Sequence, residues 1–170
     1  APFVHEGVVY VTCFAFDRAI SRNEQKGELV ALDAVTGRIR FRRDIWPGFL
    51  SSPVGITQAD GSLRLYVASR RGRLTSFVIR GDVCETDWEY QMAHEVFASP
   101  VMLTSSDRTR VFLGSKFGQL VCLDATTGDL LWKAMAGNWI DNTACAATVD
   151  GRARVFVGSH DYCLYGLDAV

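Results

Sequence analysis

No stretch of this 170-residue chain reaches eighteen apolar residues, so no transmembrane helix is encoded. No basic, then apolar, leader opens it; it starts Ala1-Pro2-Phe3-Val4, and no signal peptide is read there. It has almost no net charge: 18 Lys/Arg stand against 19 Asp/Glu, a balance of −1. Nucleic acid and direct membrane insertion are therefore not expected. It also lacks Cys-x-x-Cys and any Cys/His set with zinc spacing. Four of the five cysteines (Cys13, Cys84, Cys122, Cys145 and Cys163) lie in apolar, strand-like runs and are expected to be buried thiols. One disulfide remains compatible with the count, which leaves the compartment open between periplasm and cytoplasm. There is no Gly-x-Ser-x-Gly elbow, Walker loop, His-Glu-x-x-His or dinucleotide fingerprint. No segment carries a capped 3.6-residue periodicity, so helices are not expected.

What is present is a globular composition, 48% apolar and 22% charged, at a length that suits one domain. Within it lies a repeat. The segment GELVALDAVTGRIRF (27–41) matches GQLVCLDATTGDLLW (118–132) at Gly-x-Leu-Val-x-Leu-Asp-Ala-x-Thr-Gly. A copy beginning YCLYGLDAV (162–170) stops before its Thr-Gly, and a degenerate copy spans 72–88. The marker positions Asp33, Val78, Asp124 and Asp168 fall at intervals of 45, 46 and 44 residues. The runs VVYVTC (8–13), RLYVAS (64–69), RVFLGS (110–115) and RVFVGS (154–159) keep the same period. So do Ser52-Pro53-Val54 and Ser99-Pro100-Val101, with Ala1-Pro2-Phe3 and Thr143-Ala144-Cys145 in the same slot.

Each repeat holds four short strand candidates that alternate at period two. Leu120 and Cys122 are predicted to face one way, Val121 and Leu123 the other. Both faces are apolar, which suits a sheet stacked between two neighbours. The Asp-Ala-x-Thr-Gly segments read as turns in which Asp accepts backbone N–H groups and Gly takes positive φ. These features predict an all-β fold of propeller blades, approximately 1–44, 51–91, 97–134 and 143–170, the last lacking its fourth strand. About four blades suit an arc of a larger seven- or eight-bladed ring, with the remaining blades as one expected partner.

The run Ala125-Thr126-Thr127-Gly128-Asp129-Leu130-Leu131-Trp132, with the Val-x-Val-Gly-Ser corner and the following Leu-x-x-Leu-Asp, resembles the tryptophan-docking motif of the pyrroloquinoline-quinone-like repeat family. That family includes quinoprotein dehydrogenases, the propeller lipoprotein of outer-membrane protein assembly, and propellers fused to adenylate-forming enzymes of the aminoadipate-semialdehyde-dehydrogenase type. The resemblance implies a propeller in which the tryptophan packs between blades. Three departures are visible: Phe41 stands where Trp132 does, Trp88 comes two residues late, and residues 14–26 are an insertion.

Hairpin order sorts the loops onto two ends. One end gathers the loops after the Val-x-Val strands and those entering each Ser-Pro strand. Trp46, Arg70, Arg71, Lys116, Trp139, Asp141 and His160 lie there and are the candidate partner-binding residues. The expected function is a non-catalytic scaffold that binds a protein partner, with no cofactor. Two alternatives stay open: a fragment of a quinone-dependent dehydrogenase holding PQQ and calcium, and an accessory propeller of an adenylate-forming enzyme. Against the first, there is no Cys-Cys pair, and Asp141-Asn142 is the one acidic–amide pair at that end.

Overall fold

The computed structural model describes residues 1–14, 26–45, 51–106 and 108–170. Trp46 and nearly all of the insertion at 14–26 lie outside the described residues. Every regular element among those described is a strand, and the strands form four separate antiparallel sheets. The first holds β1 (Phe3–His5), β2 (Val8–Phe14), β3 (Gly27–Asp33) and β4 (Ile39–Ile45). The second holds β5 (Val54–Thr57), β6 (Leu63–Ala68), β7 (Arg73–Arg80) and β8 (Val83–Gln91). The third holds β9 (Val101–Ser105), β10 (Arg108–Gly114), β11 (Gln119–Asp124) and β12 (Leu130–Met135). The fourth has three strands: β13 (Cys145–Val149), β14 (Arg152–Gly158) and β15 (Leu164–Asp168). Each sheet is a meander in chain order, so each is one blade.

The core is three seams, one between each pair of successive blades. Val8, Tyr10, Leu29 and Ala31 of the first blade meet Leu63, Leu65, Val67, Phe77 and Ile79 of the second. The other face of the second blade, with Tyr66, Ala68 and Leu74, meets Val111, Leu113, Val121 and Leu123 of the third. Phe112, Leu120 and Cys122 then meet Val155, Val157 and Ala169 of the fourth. Alternate residues of one strand thus serve two different seams, as the period-two reading of β11 predicts. A four-stranded sheet with two apolar faces is stable only with a neighbour on each side, and this stacking supplies it.

The late Trp88 is reconciled by a longer hairpin. Strands β7 and β8 pair as far as Arg80 with Val83, whereas the third blade leaves its ladder at Leu123 with Leu130 and turns through Asp124–Asp129. A register shift in each blade then brings Phe41 opposite Ala31, Trp88 opposite Ser76 and Trp132 opposite Cys122. The three rings pack at a tilt against Tyr10, Tyr66 and Phe112, at centroid distances of 6.3, 5.7 and 5.9 Å. The turns behave as their sequence predicts: Asp33 accepts from the N–H groups of Val35 and Thr36, Asp124 from those of Thr126 and Thr127. Gly37 and Gly128 have φ of 69° and 77°.

A second periodic device joins the blades at their inner strands. The N–H of Ser52 donates to Ser99 Oγ at 2.9 Å, and the N–H of Ser99 to Thr143 Oγ1 at 3.1 Å. The amino group of Ala1, in the same slot of the first repeat, bonds Ser52 Oγ. The hydroxyl before each Pro or Ala therefore receives the N–H of the preceding blade.

The cysteines depart from expectation. Cys122 alone is fully buried; Cys84 is half-buried, Cys13, Cys145 and Cys163 are exposed, and all five are free thiols. Cys13 ends a strand beyond the seam, and Cys145 and Cys163 sit on the last blade, where no further sheet covers them. Burial pushes the Cys122 thiol up to about 12 and the Cys84 thiol up to about 11.

Candidate partner-binding ledge

At one end of the blades, the second strands of the second, third and fourth blades lead into four-residue corners: Ser69-Arg70-Arg71-Gly72, Ser115-Lys116-Phe117-Gly118 and Ser159-His160-Asp161-Tyr162. In each, the N–H of the fourth residue donates to the carbonyl of the first, at 2.9, 3.0 and 3.1 Å. The second residue is Arg70, Lys116 or His160, so the repeat sets a basic group at the same place in three successive blades. Gly72 and Gly118 have φ of 81° and 79°, and a Cβ there would stand 2.4 Å from His94 O or 2.6 Å from Asn138 O. Glycine is needed for both the turn and the approach of the linker. Tyr162 holds the slot in the last blade at φ 67° and is fully exposed.

The linkers between blades run against these corners. The Val96 N–H donates to Arg70 O, Lys116 to Glu95 O, Ile140 to Ser115 O, and His160 to Trp139 O, at 2.8–3.0 Å. Glu95 and Asp141, from successive linkers, arrive beside the basic groups. Glu95 bridges Arg70 Nε at 3.3 Å and Lys116 Nζ at 3.6 Å. Asp141 Oδ2 lies 3.3 Å from His160 Nε2.

Aromatic rings fill the gaps between the charges. The Arg70 guanidinium and Lys116 Nζ lie 5.1 and 5.6 Å from the centroid of Phe97, and Lys116 Nζ lies 4.7 Å from that of Trp139. Such placements favour the cations electrostatically. Trp139 packs on His160 at 5.7 Å, and His94 on Phe117 at 4.3 Å. The result is a continuous ledge over the second, third and fourth blades. Trp139 is 40% exposed and Phe117 58%, so both rings present apolar area to solvent. Behind the ledge, Asp161 accepts from the Gly137 N–H at 2.7 Å and from the Tyr165 hydroxyl at 2.5 Å. The Tyr165 bond, the leading cause, holds the Asp161 carboxyl below the usual range. Ser159 Oγ donates to Asn138 O. These bonds fix the linker that carries Trp139.

Five of the seven residues singled out from the sequence meet here: Arg70, Lys116, Trp139, Asp141 and His160. Arg71 is exposed and its side chain joins none of these ion pairs or ring contacts among the described residues; its carbonyl accepts from Gln91 Nε2. Trp46 lies outside the described residues. Phe97 and Glu95 complete the ledge without having been singled out as binding residues. Glu95 falls one repeat before Trp139 and Phe97 one repeat before Asp141, so neither residue type repeats, and only the linker's path brings Phe97 under two cations. Asp141 Oδ2 faces His160 while its buried Oδ1 has no partner among the described residues, and no three acidic, His or Cys side chains converge among them.

Antiparallel blades stacked face to face, with tryptophans docked in the seams, define a propeller. The family model described as outer membrane protein assembly factor BamB matches residues 85–170, and the chain belongs to this family of PQQ-like repeats. In fold it is similar to BamB of Moraxella catarrhalis, whose crystal structure superposes with a TM-score of 0.65 at 24% identity, covering 96% of this chain and 43% of that one. It is 33% identical over 64 residues to the beta-alanine-activating enzyme of Danio rerio, covering 38% of this chain and 6% of the relative. It is 27% identical over 118 residues to the protein GAMETE EXPRESSED 3 of Arabidopsis thaliana, covering 69% of this chain and 17% of the relative. The chain thus spans a small part of the curated relatives it matches.

Proposed function

We propose that this propeller segment is a non-catalytic module that binds a protein partner through the ledge of Arg70, Glu95, Phe97, Lys116, Trp139, Asp141 and His160, without a cofactor. The observation that carries this reading is the pairing of exposed aromatic rings with cations whose positions the repeat and its linkers set. Rigid aromatics beside Arg and Lys supply contact area at little entropic cost, the chemistry of interface hot spots. Similarity to an assembly factor supports a scaffold in the same sense. The test is photo-crosslinking in the native cell from a reactive side chain at His94, on the ledge, and at Asp150, at the opposite end. The partner captured from His94 alone is then purified. Its affinity should fall about tenfold for Lys116→Ala and Trp139→Ala, on the order of 1.4 kcal/mol each, with unchanged thermal unfolding. Equal affinity for both variants overturns the assignment. Reconstitution with calcium and PQQ is expected to yield no dye-linked alcohol oxidation.

A second reading is favoured by the similarity to the beta-alanine-activating enzyme: the segment as an accessory propeller of an adenylate-forming enzyme. It requires an adenylation domain in the same open reading frame, and sequencing the complete transcript decides it.

A further inference from the structure

The three seams repeat one another, and the first departs from the second in a way that leaves room. In the second seam, three side chains of one blade grip the turn of the next. Tyr66 donates its hydroxyl to Ala125 O at 2.8 Å, Trp88 Nε1 donates to the same oxygen at 3.2 Å, and Arg64 NH1 donates to Thr126 O at 3.2 Å. Arg64 also pairs with Asp87. The strand registers make Val8, Tyr10 and Phe41 the counterparts of Arg64, Tyr66 and Trp88 in the first seam. Val8 has no guanidinium and Phe41 no indole N–H. Facing them, the second blade has the long Arg80–Val83 hairpin in place of an Asp-Ala-x-Thr-Gly turn, with Gly81 at its tip.

Two side chains are smaller and one turn is different, so the space is not filled. A cavity of about 150 Å³ lies there, lined by His5, Tyr10, Arg40, Leu63 and Gly81, with Glu6 at its mouth, its side chain 77% exposed. Tyr10 is 4% exposed as a residue and its hydroxyl makes no hydrogen bond among the described residues, but that oxygen is not sealed off and opens on the cavity, while Tyr66 in the same place is bonded. Its phenol is held above its ordinary range mainly by burial, with Arg40, Asp82 and Glu6 close enough to act on it. Arg40 spends Nε on Asp82 at 2.6 Å, which leaves the other guanidinium N–H groups as donors. A phenol hydroxyl that opens on a cavity and lacks a protein acceptor takes one from water or from a ligand seated there.

We propose that this cavity binds a small aliphatic carboxylate, whose oxygens take the acceptor's place held by the Ala125 carbonyl in the next seam. One oxygen accepts from Tyr10 and the other from Arg40, while the alkyl part lies on Val8, Leu63 and Ile79. At about 30 Å³ per water-sized unit, 150 Å³ holds four to six heavy atoms, the range from acetate to butyrate. This site lies at the end of the blades opposite the ledge and does not rest on it.

The test is a titration of the ¹⁵N-labelled protein with acetate, propionate, butyrate, benzoate and acetamide. Saturable shifts of the Gly61 and Gly81 amides are expected with the aliphatic acids and not with benzoate or acetamide. Tyr10→Phe, which keeps the ring, should weaken propionate at least tenfold with an otherwise unchanged spectrum, and Arg40→Gln should do the same. No saturable shift means that the cavity holds water alone, and overturns the proposal. Equal binding of acetamide, or undiminished binding by both variants, overturns the carboxylate assignment.

Discussion

Trp88 and Trp132 occupy the same place in successive blades but not the same chemical situation. The Trp88 indole N–H is bonded to Ala125 O, whereas Trp132 Nε1 is buried with no partner among the described residues. Replacing either by Phe removes the same volume, but only the first breaks a hydrogen bond. Trp88→Phe should therefore cost about 1 kcal/mol more than Trp132→Phe in urea unfolding, since a net hydrogen bond contributes roughly 0.5–1.5 kcal/mol. Equal losses would remove the Ala125 bond from the account of this seam. Phe41 already carries the same substitution in the first blade, where Tyr10 and the cavity stand in place of a gripped turn. The sequence showed Phe41 and Trp132 to be equivalent. It did not place Trp88 with them, because the compensating hairpin extension is a matter of pairing register, set by which faces are buried.

At the scale of the hairpin, carboxylates organise the turns. Asp60 accepts from the Ser62 hydroxyl at 2.6 Å and its N–H at 3.0 Å, and from Arg80 at 3.1 Å; these bonds, Ser62 first, lower its carboxyl to about 2. Asp33 is lowered in the same way, first by the N–H and then by the hydroxyl of Thr36. A carboxylate with its folded pKa below its unfolded value, about 3.9, stabilises the fold above that value. The contribution fades as pH falls through the folded pKa. The urea midpoint should thus be flat between about pH 5 and pH 8 and decline between about pH 4 and pH 2. Asp60→Asn should make that decline shallower, and an unchanged slope would separate the Asp60 bonds from stability. These turns were legible at residue level because Asp-Ala-x-Thr-Gly is local chemistry, complete within five positions.

Across the whole molecule, stability should follow the stacking. Strands β6, β7, β10 and β11 belong to blades covered on both faces, and their apolar residues are almost all fully buried. Strands β1, β13 and β15 belong to blades with one neighbour, and Val4, Val149 and Leu164 are 62, 45 and 74% exposed. In a repeat array, stability is approximately a sum of blade and nearest-neighbour terms. Amide hydrogen exchange should accordingly be slowest in the second and third blades and fastest in the three-stranded fourth. Uniform protection from end to end would mean a single cooperative unit instead. The thiols report the same gradient: Cys145 and Cys163 should react with a disulfide reagent in the native state, while Cys122 should wait for unfolding.

A period near 45, four strands in a unit and apolar residues on both strand faces were enough, in the sequence alone, to determine stacked antiparallel blades and the end of the stack where Arg70, Lys116 and His160 would gather. These are consequences of local alternation and repetition, which need no knowledge of neighbours. Tertiary structure alone decided that Glu95 and Phe97 would lie between two cations, that Arg71 would stand outside those contacts, and that the first seam would keep a cavity. Each of these depends on how far a linker or hairpin reaches across to the next blade. That distance is set by packing between segments far apart in the chain, and it leaves no signature in the spacing of residues along either one.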